Sequence, residues 1–137
     1  MNGNLERIIM TLAVVSFAFT SVSLLSIREV PLTREEAIEI SKGSSLVKEG
    51  LAIAYSISVE ANYYNSQRIE QLREWHQEEI FENVPKDEFW EEKVPKGHSV
   101  WEIIWYIGTG IGGYNIGVIV DAEVGVIITE VKGIVFL

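Results

Sequence analysis

A long apolar run opens the chain. It extends from Ile8 to Ile27 without a charged residue, and at about 1.5 Å of rise per residue such a helix covers the roughly 30 Å hydrocarbon core of a bilayer. Its polar members are serines and threonines, whose hydroxyls can bond to carbonyls of their own helix and so tolerate lipid. The run therefore predicts a transmembrane helix, and we assign residues 1–30 to an N-terminal membrane anchor.

Two other interpretations of this run are open. In a secretory signal peptide the apolar region would end near Phe19, with cleavage after small residues such as Ser21 or Ser23. The run continues beyond them without a clear Ala-x-Ala site, so we favour the uncleaved anchor over a secreted protein. A buried core helix, the third interpretation, seldom stays free of charge over this length. The positive-inside rule keeps the N-terminus with Arg7 in the cytoplasm and predicts an extracytoplasmic C-terminal domain.

The pattern after residue 31 is that of a helix. Thr33 can cap its N-terminus, and Glu36, three residues later, can complete a capping box. Apolar residues along the segment recur at helical spacing and supply one packing face. We expect the helix to begin at Thr33 and to stop near Gly43, with a short turn that ends at Gly50 after it.

Most of the remaining chain alternates apolar and polar residues as β-strands do. The segment from Leu51 to Tyr63 places its large apolar side chains on one parity, which predicts a half-buried strand whose apolar face is covered by the helix. Further runs of strand character lie at residues 99–108, 114–120 and 126–131, with 134–137 as an additional candidate. Residues 31–137 are therefore predicted to form an α+β domain in which a helix packs on an antiparallel sheet of about four strands.

A polar stretch from Ser66 to His98 interrupts the strand pattern. Its first part, as far as Glu82, has loosely helical apolar spacing and predicts a helix. Pro85 and Pro95 bracket a following loop or short turn. The stretch contains more acids than bases, and its aromatic residues indicate that it packs on the rest of the domain. We interpret it as a helical acidic insertion.

Composition excludes several kinds of chemistry. The chain has no cysteine, which excludes disulfides, thiolate nucleophiles and cysteine-ligated metals. Its net charge is −9 and no segment is basic, which argues against nucleic-acid binding. The glycines at 108–113 join two strand-like runs and are not followed by a helix, so they do not form a phosphate-binding loop.

The histidines give only a weak indication of a metal site. His76 and Glu79 lie three residues apart on the predicted helix, with Glu78 and Glu82 nearby. A zinc site needs three or four convergent ligands, and one histidine among glutamates is expected in an acidic helix. His98 follows a Pro-Lys-Gly sequence at a strand entrance and is interpreted as a loop residue. We predict a chain without a metal, a cofactor or a catalytic residue.

The acidic turn at residues 121–125 has two interpretations. Asp121 could form a carboxylate pair with Glu102 on a neighbouring strand, although nothing supplies a nucleophile. Alternatively, its side chain accepts hydrogen bonds from the backbone of Glu123 or Val124, while Gly125 takes the positive φ of a type I turn with a bulge. We favour the structural role for Asp121 and Gly125.

Aromatic side chains are the remaining candidates for a binding surface. In the strand at 99–108, the residues at odd positions and those at even positions are both largely apolar. One face of the sheet should therefore meet the helix, and the other must be covered by the insertion, by a second copy or by a partner. The period-two placement of the aromatic residues assigns most of them to the sheet core. The candidate protein-binding residues are Trp101, Trp105, Tyr106 and Tyr64.

Three segments resemble the PepSY family of small extracytoplasmic domains. They read "LTREEAIEIS", "SVWEIIWYI" and "IGVIVDAEVGVIITE". In that family a helix bearing Thr-x-x-x-Ala precedes a sheet whose last hairpin reads Val-Asp-x-x-Thr-Gly. The likeness covers residues 33–130 discontinuously. Val124 stands where the family usually has threonine, and the insertion lies outside the likeness.

The resemblance implies a helix packed on an antiparallel sheet outside the cytoplasmic membrane. Related domains occur in propeptides of thermolysin-like peptidases and are proposed to restrain or modulate peptidases, which implies binding to a protein such as a peptidase. Two alternatives stay open. The chain could be a structural envelope protein that forms a homo-oligomer through the apolar sheet face, or, less favoured, an acidic metal-dependent hydrolase.

Overall fold

The structure is a computed structural model and describes residues 30–77, 83–85 and 88–136. Helices and one sheet make up this part of the chain. The α+β class and the antiparallel sheet of four strands predicted from the sequence are confirmed for these residues. In chain order the elements are α1 (Arg34–Ser41), α2 (Ser45–Ile53), β1 (Ser56–Tyr64), α3 (Ser66–His76), a 3₁₀ helix (Trp90–Lys93), β2 (Val100–Gly108), β3 (Gly113–Asp121) and β4 (Ile127–Phe136).

The predicted membrane anchor, Ile8 to Ile27, lies outside the described residues. Among the residues that are described, no helix has the length and the apolar character needed to cross a bilayer. The compact unit described below begins at Pro31.

Helix α1 begins with the capping box that its sequence predicts. The Thr33 hydroxyl accepts a hydrogen bond from the Glu36 N–H at 3.2 Å, and the Glu36 carboxylate accepts one from the Thr33 N–H at 2.8 Å. These bonds satisfy backbone donors that the first turn of a helix leaves unpaired. The helix ends at Ser41, and the Gly43 N–H then bonds to the Ile40 carbonyl at 2.9 Å.

The first strand starts later than its sequence pattern predicts. Leu51 and Ile53 belong to the last turn of α2, and β1 begins only at Ser56. The short turn predicted to end at Gly50 is also part of α2, where a Cβ at Gly50 would lie 3.0 Å from Ile116 Cδ1. Close packing of this helix on the sheet outweighs the local strand-like alternation, because tertiary contacts override weak periodicity over a few residues.

The sheet is an antiparallel meander in the order β1-β2-β3-β4. Pairing of β1 with β2 runs without interruption from Ser56 opposite Gly108 to Tyr64 opposite Val100. Pairing of β3 with β4 contains two register shifts and extends to Gly113 opposite Phe136. The prediction of separate strands at 126–131 and 134–137 is therefore wrong, since one strand, β4, pairs with β3 from Ile127 to Phe136. Residue 137 lies outside the described residues.

Helices α1 and α2 cover one face of the sheet, which we call the helix-side face. Trp105 is 4% exposed on this face, and its indole N–H donates to the Ser41 hydroxyl at 2.9 Å. The Trp101 indole N–H donates to the Leu32 carbonyl at 2.8 Å. Burial of the apolar side chains stabilises the layer, and these bonds keep the buried indoles satisfied. The buried residues of this core are Leu32, Ala37, Val47, Ile103, Trp105, Ile107, Tyr114, Ile116, Val118 and Val120.

The insertion covers one end of the opposite face, which we call the insertion-side face. A second core joins Ile69 of α3 and Val94 to Val100 and Ile119 of the sheet. The Arg73 guanidinium holds this layer together by donating to the carbonyls of Glu91 and Val94. Helix α3 is described as far as His76, so the part of the predicted helix from 78 to 82 lies outside the described residues.

Candidate functional site

The four aromatic residues predicted to bind protein do not form one surface. Trp101 and Trp105 belong to the helix-side face, whereas Tyr64 and Tyr106 belong to the insertion-side face, as the strand register requires. Trp105 is buried in the core. Trp101 is half-buried and packs against Tyr63, with ring centroids 5.2 Å apart. The two tryptophans therefore pack in the helix-side layer, and the four predicted residues are divided between two faces of the sheet.

Polar side chains of β1 and β2 form a hydrogen-bonded row on the insertion-side face. The Asn62 amide donates to Glu60 at 3.2 Å and to Glu102 at 3.3 Å. Tyr64 donates to Glu102 at 3.4 Å, and Tyr106 donates to Glu60 at 3.1 Å. The row therefore brings two carboxylates close together.

The electrostatics of this row are those of an acidic surface. Burial, followed by the charge of Glu102, raises the pKa of Tyr64, and the hydrogen bond to Glu60 raises the pKa of Tyr106. Both phenols therefore stay protonated as donors. Among the described residues, the salt bridges join other acids and bases, and none involves Glu60 or Glu102. The insertion-side face of β1 and β2 thus carries negative charge that no described ion pair offsets.

Asp121 is held at the turn between β3 and β4. Its Oδ1 accepts hydrogen bonds from the N–H groups of Glu123 at 2.8 Å and Val124 at 3.1 Å. Its Oδ2 lies 2.7 Å from Nδ1 of His98, and its side chain is 1% exposed. Gly125 has φ of +73°, the left-handed conformation that glycine adopts most readily. One carboxylate oxygen is therefore engaged by the turn and the other by His98, and this geometry stabilises the turn.

Glu102 and Asp121 lie on the same face of the sheet but engage different partners. Glu102 accepts from Asn62 and Tyr64, while Asp121 binds the turn and His98. The role of His98 as the partner of Asp121 has no local signal in the sequence, because the two residues are 23 positions apart. Glu102 and Asp121 therefore do not share hydrogen-bond partners among the described residues.

His76 also pairs with a buried carboxylate. Its Nδ1 contacts Glu91, which is 1% exposed, and its ring stacks on Phe89 with centroids 4.1 Å apart. Within the described ranges, no three histidine or carboxylate side chains converge as metal ligands. Glu78, Glu79 and Glu82 lie outside those ranges. Among the described residues, His76 connects α3 to the 3₁₀ helix through its contact with Glu91.

An exposed apolar row follows the β1 edge of the sheet. Tyr55 is 85% exposed, Ile57 50% and Tyr63 45%, and Ile53 at the end of α2 is 63% exposed. We call these four residues the β1 row. The helices pack chiefly on β2, β3 and β4, so the predicted cover of this strand by a helix extends to Val59 but not to Ile57 or Tyr63. Periodicity predicts the parity of these side chains but not their exposure, which depends on strand order.

The two edges of the sheet differ in the features that prevent pairing with another chain. Strand β1 has nine residues, an uninterrupted register, no proline and no lysine. Strand β4 has register shifts in its pairing and carries Lys132. Bulges and lysines are the usual devices that prevent an edge strand from pairing with another chain. Strand β1 lacks both.

Comparisons of the chain with protein-family models, with curated proteins and with solved structures find no match. The likeness to the PepSY family rests on the three quoted segments alone. We therefore infer function from the geometry and the chemistry of this chain's own residues.

Proposed function

We propose that the chain is a non-catalytic, membrane-anchored protein whose extracytoplasmic domain binds another protein. The observation that carries this proposal is the β1 row. Exposed apolar residues scattered singly are ordinary on a protein surface. Here four of them lie along β1, immediately before it and at the end of the helix that precedes it. The PepSY resemblance supports a peptidase as the partner and modulation of that peptidase as the outcome.

The clustering of the exposed side chains supports a defined surface. Among the described residues, nine large apolar side chains are exposed, and four of them form the β1 row. Ile111, which is 92% exposed, lies in the hairpin that joins β2 to β3. The Tyr55 N–H donates to the Gly108 carbonyl at 2.7 Å, which ties the start of β1 to the base of this hairpin. Exposed apolar side chains therefore lie along one edge of the sheet and in the hairpin at one end of it.

The membrane location is supported by the apolar run from Ile8 to Ile27. An uncleaved helix in this run would display the domain outside the membrane, and cleavage would release the same domain as a secreted protein. Either form leaves the chemistry of the β1 row unchanged.

Self-association is the competing function. The same edge strand, which has neither a lysine nor a bulge, could pair with its copy and produce a homo-oligomeric envelope protein. The carboxylates of Glu60 and Glu102 beside this edge favour a partner of opposite charge over an identical chain.

Site-specific photocrosslinking of the full chain in its native membranes tests the proposal. A benzophenone amino acid is placed at Tyr63 and, as a matched aromatic control, at Trp75 of α3, which is 49% exposed. We expect the probe at Tyr63 to give a discrete adduct with a different protein and the probe at Trp75 to give none. Adducts with the chain itself alone, or equal adducts from both positions, would contradict the proposal.

A further inference from the structure

We propose that β1 is a strand-addition site, at which the partner contributes an extended segment that pairs with the outer edge of β1. The added segment alternates, with apolar residues on the helix-side face and a lysine or arginine opposite Glu60 on the insertion-side face. This inference rests on the protein-binding function proposed above and specifies its mode and the chemistry of its ligand.

The backbone geometry of β1 provides the template. The strand pairs with β2 over its whole length of nine residues without a bulge. In the sheet of described residues β2 is its one neighbour. About half of its backbone N–H and C=O groups therefore point away from β2 and offer donors and acceptors to an incoming strand. Peptides that add to a sheet edge gain affinity from such main-chain hydrogen bonds and specificity from alternate side chains.

The helix-side face of β1 selects apolar residues in the added segment. Ile57, Val59, Ala61 and Tyr63 share this face because strand side chains alternate. Val59 and Ala61 already pack against the core, whereas Ile57 and Tyr63 are about half exposed. Apolar side chains on an added strand would lie beside these residues and remove their surface from water.

The insertion-side face selects positive charge. Glu60 is the acid at the centre of β1, and Asn62 bridges it to Glu102 on β2. A lysine or arginine directly opposite Glu60 forms a favourable cross-strand pair, whereas an acid there is destabilising. In a symmetric antiparallel pairing of two β1 strands about their centres, the two Glu60 carboxylates would face each other. Charge therefore favours a basic segment of another protein over a second copy.

The probe is the synthetic heptapeptide Ile-Thr-Val-Lys-Val-Thr-Ile, which places lysine opposite Glu60 when its centre aligns with the centre of β1. A second peptide with glutamate in place of lysine is the matched control. Fluorescence anisotropy measures binding of each labelled peptide to the full chain in detergent. We expect the glutamate peptide to bind roughly tenfold more weakly than the lysine peptide.

Three variants locate the binding strand. Glu60→Lys, at an exposed position, should invert the preference so that the glutamate peptide binds more tightly. Ile57→Lys should abolish binding, because it puts a charge on the apolar face of the edge strand. Val131→Lys is the matched control, since Val131 is 58% exposed on β4, the opposite edge, and it should leave binding unchanged. Ile57 is itself half exposed, so its variant should fold, which circular dichroism checks.

The outcomes separate this inference from the function on which it rests. Inversion by Glu60→Lys together with loss of binding in Ile57→Lys supports strand addition. If the Tyr63 probe captures a partner but the full chain binds neither heptapeptide, strand addition is wrong and the protein-binding function stands. If the chain sediments as a dimer that Ile57→Lys dissociates, the occupant of β1 is a second copy and the proposal of a basic foreign segment is overturned.

Discussion

Single side chains fix the junctions between the elements of this domain. Asp121 accepts hydrogen bonds from two backbone N–H groups in the turn before β4, and it contacts His98, which precedes β2. Glu130 of β4 accepts a hydrogen bond from the Ser45 hydroxyl at the start of α2. A carboxylate near a helix N-terminus is stabilised by the unpaired N–H groups and the dipole of the helix. These contacts join segments that are far apart in the sequence.

Gly125 should be sensitive to any side chain. A Cβ at this position would make only ordinary contacts, the nearest being Ile40 Cδ1 at 3.5 Å, so the expected cost comes from the positive φ of +73°. We predict that Gly125→Ala lowers the free energy of unfolding by about 1 kcal/mol. Gly117→Ala is the control, because a Cβ at Gly117 has nothing within 4 Å. Equal urea midpoints for the two variants would show that the turn is not strained by a side chain.

Glu130 should make stability depend on pH. The hydrogen bond from Ser44, followed by those from Ser45 and the Leu46 backbone, lowers the pKa of Glu130 below its ordinary value of 4.5. Because the folded state binds this carboxylate's proton less tightly than the unfolded chain does, the stabilisation is present above pH 4.5 and is lost as the pH falls through the folded pKa.

We therefore predict that Glu130→Gln melts at a lower temperature than the parent at pH 7 and that the difference narrows at acidic pH. Glu49→Gln, at an exposed position of α2, serves as the control and should melt like the parent at both pH values. If the difference in melting temperature between Glu130→Gln and the parent stayed constant from pH 7 to acidic pH, the charge of the carboxylate would contribute nothing to stability.

At the scale of elements, local motifs are predictable and exposure is not. The capping box of Thr33 and Glu36 and the alternation of β2 are visible in the sequence because each depends on neighbours a few residues away. The assignment of Leu51 to a strand is wrong because contacts of α2 with the sheet decide its conformation. The exposure of Tyr63 follows from the position of β1 at an edge, which no local pattern encodes.

The insertion covers one end of the insertion-side face of the sheet. Its contact with the sheet is centred on Ile69, which is 1% exposed and packs with Val94, Val100 and Ile119. We predict that Ile69→Ala lowers the free energy of unfolding by about 2–5 kcal/mol, the usual effect of a cavity in a buried core. Gln67→Ala on the exposed face of α3 should change it little. Similar chemical denaturation curves for the two variants would mean that the insertion does not share the cooperative unit of the sheet.

At the scale of the whole molecule, the outer edge of β1 has no paired strand among the described residues. The chain has a net charge of −9, and Glu60 places part of that charge beside the β1 row. An apolar row next to an acidic one matches an alternating strand with basic residues on one face. Side chains on both faces of the sheet contribute to stability, so we assign binding to the edge formed by β1.

Hydrogen exchange of the full chain, with and without the lysine heptapeptide, tests the central claim most directly. Exchange reports which backbone N–H groups gain hydrogen bonds, whatever side chains surround them. The account predicts slowed exchange at alternate amides of Ser56–Tyr64 and unchanged exchange in β4. Slowed exchange confined to α3 or β4, with β1 amides unaffected at saturating peptide, would contradict it.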